Sequence, residues 1–404
     1  MDQETAKKLL VEGGTFVFLG VPQGTQFGID MQCWNTDEDF RGIKMIPPGL
    51  HYIHFSAVNN DTKDVGPRSG FMHYFQKQEF LVKIWDKKAD DISHEEITDE
   101  SLQRLKDNLL NLDRHLAPYP YEIWAKWKLL TSQLSVQLAK KLSPENGIIR
   151  AAVELLSTSD ADRPRGTKST KSSEVSQEGE TKQNASEDTG KLLDPGQSDA
   201  KRVKRITREE KENAMLPDLK PVPGTSLRFT EIPCDKYPPG SKPEEITKHY
   251  LDQSYSLELM IQQHDEALNI IGELQFAYLC FLIGHSLDAF EHWKSLVILF
   301  CSCDEAIHKH RSVFFHFIRS IEVQIEEMPE EFLADIVMNK NLVYKKLREL
   351  FRTAHVSKVD GRLLTLIERF KENLTEKLQW DFTALDTDDE DERPVIVKLD
   401  RELT

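Results

Sequence analysis

The chain has 404 residues, enough for two or three domains. Its 68 acidic residues against 52 Lys and Arg give a formal charge of −16, which disfavours general binding to nucleic-acid phosphate and suits basic partners. Five cysteines (Cys33, Cys234, Cys280, Cys301 and Cys303) are few and odd in number, which argues against a disulfide framework and for a reducing compartment.

The first residues, Met1-Asp2-Gln3-Glu4, are too acidic for a signal peptide. Residues 2–12 read as a short helix with Ala6, Leu9, Leu10 and Val11 on its apolar side. After Gly13-Gly14 the pattern changes to short β-branched and aromatic runs. These are Thr15 to Leu19, Phe27 to Asp30, Ile43 to Ile46, Gly49 to Phe55, Gly70 to Phe75 and Glu79 to Trp85. Gly, Pro, Asn and Asp separate them closely, which predicts an antiparallel sandwich or barrel. Leu50 to Phe55 is too apolar for strict alternation, so both of its faces are expected to be covered.

From Asp99 the period becomes helical. Leu102, Leu105, Leu109, Leu112 and Leu116 fall on one stripe, stopped by Ala117-Pro118-Tyr119-Pro120. A second helix is expected from Tyr121 to Leu142, with Trp124, Trp127, Leu130, Leu134 and Leu138 on one side. The two are expected to pair antiparallel against the sheet, which makes residues 1–156 an α+β unit. Residues 157–216 are rich in Ser, Thr, Asp, Glu, Lys and Gly and read as a disordered charged linker. Its basic run Lys201-Arg202-Val203-Lys204-Arg205 has the composition of a nuclear import signal or of a solvated charge run.

Residues 217–383 read as an α-helical domain of about seven helices behind a Pro-punctuated approach segment. Ile270 to Ile283 is apolar nearly all round, so it is expected at the centre. Gly272, Glu273 and Gln275 interrupt it, and it is too short to span a bilayer. The apolar steps have no fixed repeat, which disfavours a TPR-type solenoid. Residues 384–404 form an acidic tail, Asp386 to Glu392, followed by a lone strand pattern, Pro394 to Leu399. A strand on a tether fits pairing with the open edge of another sheet; folding back onto the N-terminal sheet is the competing reading.

Catalytic signatures are absent: no G-x-S-x-G elbow, P-loop, G-x-G-x-x-G or H-E-x-x-H occurs. Cys301, Cys303, His308 and His310 offer soft ligands, but their spacing is unlike a structural zinc site. His51 and His54 are three apart on a strand and so face opposite sides. The acids of Asp386 to Glu392 lack the turn glycine of a calcium loop, and Thr387 stands directly before acids as a phosphoacceptor candidate. Two turns carry cations: Arg41 and Lys44 in Arg41 to Gly49, and Arg68 in Gly66-Pro67-Arg68-Ser69-Gly70. Loops on a rigid sandwich often carry function, and plain turn chemistry is the alternative.

Several stretches resemble one family. They are Gly24 to Asp30, Phe40 to Gly49, Gly66 to Phe71 and Pro118 to Tyr121, then Glu245 to His249, Gly272 to Ala277, Ala289 to Lys294 and Trp380 to Phe382. Together they are similar to the AAR-two splicing factor family, and they cover both folded parts in order. The linker does not match in detail. The resemblance implies a sandwich-like N-terminal domain with flanking helices and an all-α, VHS-like second domain, with no enzyme activity and no cofactor. It implies an assembly factor of the U5 snRNP that binds the large scaffold, pre-mRNA-processing-splicing factor 8, in a cytoplasmic precursor particle. It also implies that the tail strand, Val395, Ile396, Val397, Lys398 and Leu399, lies between the scaffold's RNase H-like and Jab/MPN domains. There it would keep the mature particle's helicase away. Arg41, Lys44 and Arg68 are the cations expected to share in partner binding. Localisation is expected to be cytoplasmic and nuclear, with no membrane contact and no sequence-specific nucleic-acid binding.

Two other readings compete. One is a small-molecule enzyme with its site around Arg41, His51 and His54, which would need a convergent acid–base pair in a pocket. The other is a general helical adaptor that binds peptides through residues 244–382 alone.

Overall fold

The computed structural model describes residues 2–59, 62–93, 95, 97–157, 219–233, 236–333, 342–357 and 359–382. The chain divides into two compact units: Met1–Val153 with Pro223–Thr404, and Glu154–Val222.

The β-rich part of the first unit contains two five-stranded sheets. Its strands are β1 (Gly14–Leu19), β2 (Gln26–Ile29), β3 (Gln32–Asn35), β4 (Gly42–Ile46), β5 (Gly49–Ser56), β6 (Ser69–Phe75), β7 (Phe80–Asp86), β8 (Asp91–Ile92), β9 (Leu116–Pro118) and β10 (Ile149–Arg150). One sheet, β10-β6-β5-β2-β3, is antiparallel throughout. The other, β8-β7-β1-β4-β9, is mixed, because β1 runs parallel to β7 and β4 parallel to β9. Phe16, Phe18, Phe27, Phe55 and Phe71 fill the space between the sheets, with Phe18 and Phe55 edge-on at 5.6 Å. Tilted and edge-on rings suit the aromatic quadrupole, so this core gains geometry-specific energy beyond area burial. Strand β5 is covered on both faces as expected. Ile53 and Phe55 point into the sandwich core, while Tyr52 joins the core of the helical part.

Five helices belong to this N-terminal stretch: α1 (Gln3–Glu12), α2 (Asp99–Asp107), α3 (Leu109–Leu112), α4 (Trp124–Leu130) and α5 (Val136–Leu142). Asp2 caps α1 by accepting from Thr5 N–H, which satisfies one of the free N-terminal donors. The predicted pair of long helices is not formed. The first splits at Asn108, whose side chain bonds to Asn111, and neither α2 nor α3 buries a residue. Short amide side chains compete locally with helix continuation. Leu116 leaves the predicted stripe and starts β9 beside β4. The second helix breaks between Leu130 and Val136, and Ser135 recaps it by accepting from Leu138 N–H.

The helical part comprises α6 (Pro243–Leu251), α7 (Ser254–Gln262), α8 (Asn269–Leu282), α9 (Leu287–Cys301), α10 (Ala306–Lys309), α11 (Arg311–Glu327), α12 (Glu330–Leu333), α13 (Leu342–Val356) and α14 (Gly361–Leu378). Helix α8 is the predicted central helix: every residue from Ile270 to Phe281 is buried. The helix expected over Phe332 to Val337 is described only as far as Leu333. The core is not confined to the helical part. Trp127, Leu130, Leu134 and Leu138 from α4, α5 and their junction belong to it, together with Tyr52 of β5.

In the second unit, β11 (Leu155–Ser157) and β12 (Leu219–Pro221) pair antiparallel. The linker expectation for 157–216 falls almost wholly outside the described residues, as do the basic run 201–205 and the tail strand 395–399.

Candidate partner-binding residues and the buried networks behind them

Arg41 lies directly before β4 and Lys44 within it, so Lys44 sits in a strand between β1 and β9 of the mixed sheet rather than in the turn expected over Arg41 to Gly49. Lys44 Nζ sits 2.6 Å from Asp113 Oδ2 and donates to Asp113 O, while Arg41 N–H donates to His115 O at 3.0 Å. The Arg41 guanidinium donates to Glu38 O and Phe40 O, which stiffens the loop that carries it. Gly42, between them, has φ +142°, and a Cβ there would meet Phe16 O at 2.0 Å. Only glycine lets the loop turn that close to β1.

Arg68 does not join them. It precedes β6 in the antiparallel sheet, and its Nη1 donates to Ile283 O just past the end of α8. A cation suits the negative end of a helix, so Arg68 ties the sandwich to the helical core. Its Nη2 lies 3.9 Å from Cys33 Sγ.

Asp30 organises the first buried network. Its carboxylate accepts from Tyr119 O–H at 2.6 Å and Tyr52 N–H at 3.0 Å, and faces His51 Nδ1 at 2.8 Å. His51 Nε2 is 2.8 Å from Pro47 O, so both ring nitrogens face acceptors. Burial and the adjacent Asp30 charge push the Tyr119 phenol up, which keeps it a donor. His54 contacts Asp30 through the backbone, with Nε2 3.2 Å from Asp30 O. Burial and the nearby Arg68 charge lower His54 to about 3, which leaves it neutral. His51 and His54 therefore meet one residue from opposite faces of β5. With both His51 and Asp30 side chains fully buried, the pair has no access to a substrate.

Glu273 and Gln275 hold the helical part. The Glu273 carboxylate accepts from Thr230 N–H and Thr230 O–H at 2.7 Å each and faces His292 Nε2 at 2.8 Å. Burial alone would raise this carboxyl; the bonds from His292 and Thr230 outweigh burial and hold it below its ordinary value. His264 Nε2 is 3.3 Å away without hydrogen-bond alignment. Gln275 accepts from Gln133 N–H at 2.8 Å and donates to Ser132 and Ser320 hydroxyls. One amide thus satisfies the backbone exposed where α4 and α5 separate. Gly272 makes that approach possible, since a Cβ there would lie 2.4 Å from Gln133 O.

The stretches singled out in the sequence are largely these networks. Asp30 ends the first, Tyr119 sits in Pro118 to Tyr121, and Gly272, Glu273 and Gln275 share one motif. His292 and Trp293 share another, in which Trp293 Nε1–H donates to Gln324 Oε1 at 2.8 Å. Cys301 and Cys303 are buried thiols that burial pushes up, and Cys303 Sγ donates to Leu299 O. Among the described residues, no group of three or more His, Cys, Asp or Glu is arranged to hold a metal ion. No described helix is long and apolar enough to cross a membrane.

Comparison with known proteins accounts for this distribution. Residues 12–144 match the AAR2 N-terminal domain and residues 229–383 the AAR2 C-terminal repeat region. A human protein named Protein AAR2 homolog is 36% identical over 402 residues, covering 99% of this chain and 97% of that protein. The chain belongs to the AAR2 family. A nematode AAR2 homolog from Caenorhabditis elegans is 30% identical, covering 92% of this chain and 95% of that protein. The yeast A1 cistron-splicing factor AAR2 is 23% identical over 339 residues, 81% of each chain. The first match contains the Asp30 network and the second the Glu273 network.

Proposed function

We propose that the chain is a splicing factor that works without catalysis as an assembly factor of the spliceosomal U5 snRNP. It grips the large scaffold, pre-mRNA-processing-splicing factor 8, in a precursor particle until the mature-particle helicase takes its place. The observation that carries this reading is the AAR2 match across both folded parts, with a yeast member named as a splicing factor. The buried networks are consistent with it, because their polar groups are spent on holding the fold together.

In this reading the tail strand, Val395 to Leu399, pairs with the RNase H-like and Jab/MPN domains of the scaffold, and the half-exposed Arg41 and Lys44 present a second contact. Arg68 stands apart from that pair and donates to Ile283 O. Two contacts on one tethered chain raise each other's effective concentration. Added phosphate at Thr387 would deepen the negative charge of the tether, and in this reading it triggers release. A general adaptor built from residues 244–382 alone fits less well, because their core includes Trp127, Leu130 and Leu138.

A binding isotherm against a scaffold fragment carrying both domains tests the tail. Deleting residues 394–404 is expected to weaken binding at least tenfold and leave the melting temperature unchanged. Equal affinity with and without the tail refutes the strand contact.

A further inference from the structure

Strand β6 is partnered along its whole length on one side only. Strand β5 pairs with it from Ser69 to Phe75, whereas β10 reaches only Ser69 and Gly70. Two hydrogen bonds fix where the remaining backbone groups point. Ala151 N–H donates to Arg68 O at 2.8 Å on the β10 side, and Asp30 N–H donates to Tyr52 O at 2.7 Å on the β2 side. Tyr52 stands opposite Met72, and Leu50 opposite Tyr74. With a period of two, Met72 and Tyr74 turn their N–H and C=O groups away from β5, into the stretch that β10 leaves uncovered. Among the described residues, no strand pairs with Met72 to Phe75 there.

Helix α5 runs beside this edge, and the groove between them has a volume of about 630 Å3. Leu50, Met72 and Val136 give it an apolar lining, and Lys140 and Arg228 face one carboxylate, Glu145. An open sheet edge beside a helix is the arrangement that takes an extended peptide by strand addition, with backbone bonds supplying affinity and side-chain pockets supplying selection.

We propose that this groove holds the chain's own segment Pro394 to Leu399, in cis, as an added strand when no partner is bound. The inference rests on the reading of that segment as a strand that pairs with sheet edges. Charge favours this occupant: six acids between Asp386 and Glu392 lead into it, and the groove carries an excess of cations. Its pattern fits, since Val395, Val397 and Leu399 alternate as one apolar face. Pro394 falls at the first strand position, where a missing N–H is tolerated. Eleven residues separate Phe382 from Pro394, a reach of up to about 36 Å. Docked there, the tail covers an edge that would otherwise template aggregation, and a partner must draw it out before the strand can pair elsewhere.

Hydrogen–deuterium exchange tests this on the full chain and on a chain ending at Arg393. In the full chain, the amides of Met72 and Tyr74 are expected to exchange about tenfold more slowly, equally at two protein concentrations tenfold apart. A synthetic peptide of residues 386–401 is expected to restore protection to the shortened chain. Lys140→Glu is expected to move the full chain toward the shortened chain's rates at unchanged melting temperature. Equal exchange in the two chains overturns the proposal, and so does protection that grows with concentration, which would identify a second copy as the occupant. Weakened scaffold binding by the shortened chain together with equal exchange would remove the cis strand and leave the assembly reading standing. Slowed exchange together with unchanged scaffold binding would do the reverse.

Discussion

Asp30 carries more of the sandwich than any single contact visible in the sequence. It sits at φ +54°, a left-handed conformation that Asp and Asn tolerate, so Asp30→Asn tests its charge without new backbone strain. The substitution removes the carboxylate that Tyr119, Tyr52 and His51 share. Leaving a buried polar group without its partner costs about 1–3 kcal/mol, and a loss of that size is expected in denaturant unfolding. His54 gives a pH signature. Its ordinary value of 6.5 applies in the unfolded chain and about 3 in the folded one. Between those values the unfolded chain binds the extra proton, so stability is complete above pH 6.5 and falls as the pH drops. The slope from this group is about 1.4 kcal/mol per pH unit. His54→Gln is expected to flatten the stability curve in that window by about this slope. An unchanged curve would place the acid sensitivity in other histidines. None of these partnerships was legible in the sequence. Asp30 and Tyr119 are 89 residues apart, and no periodicity links them.

At the scale of elements, most strands and helices were legible from apolar patterning and the turn residues between runs. Thr15 to Leu19 is a short β-branched and aromatic run closed by glycine, and Ile270 to Ile283 is apolar nearly all round and too long for a strand. The misread stretches are those where distant contacts decide. The pattern from Tyr121 to Leu142 is helical throughout, yet the chain opens at Gln133 because Gln275 satisfies its N–H. The leucine stripe continued through Leu116, yet pairing with β4 drew that residue into a strand. Gly272 lies at the first of these points. Gly272→Ala gains about 1 kcal/mol of helix propensity but places a Cβ 2.4 Å from Gln133 O and 2.5 Å from Leu138 Cδ2. A backbone carbonyl yields little, and overpacking of this kind costs roughly 1–3 kcal/mol, so net destabilisation is expected. Gly361→Ala, with nothing within 4 Å, is the control and should be neutral or slightly stabilising in thermal melts.

At the scale of the whole molecule, two parts that differ in secondary structure belong to one compact unit, with a shared core and hydrogen bonds from Gln275 to Gln133 and from Arg68 to Ile283 crossing between them. The α+β class and the order of the parts were legible, whereas the turn expected over Arg41 to Gly49 holds strand β4 with Lys44 inside it. The partners that Arg41, Lys44 and Arg68 find within the chain were not legible, and that of Arg68 lies 215 residues away. The tail's pattern was legible, and its task rests on partners. Affinity purification of the full chain from cell extract, followed by mass spectrometry, tests the assembly reading most directly. The account predicts recovery of the large U5 scaffold protein without the mature particle's helicase. Recovery of the helicase in equal amount, or absence of the scaffold, would contradict it.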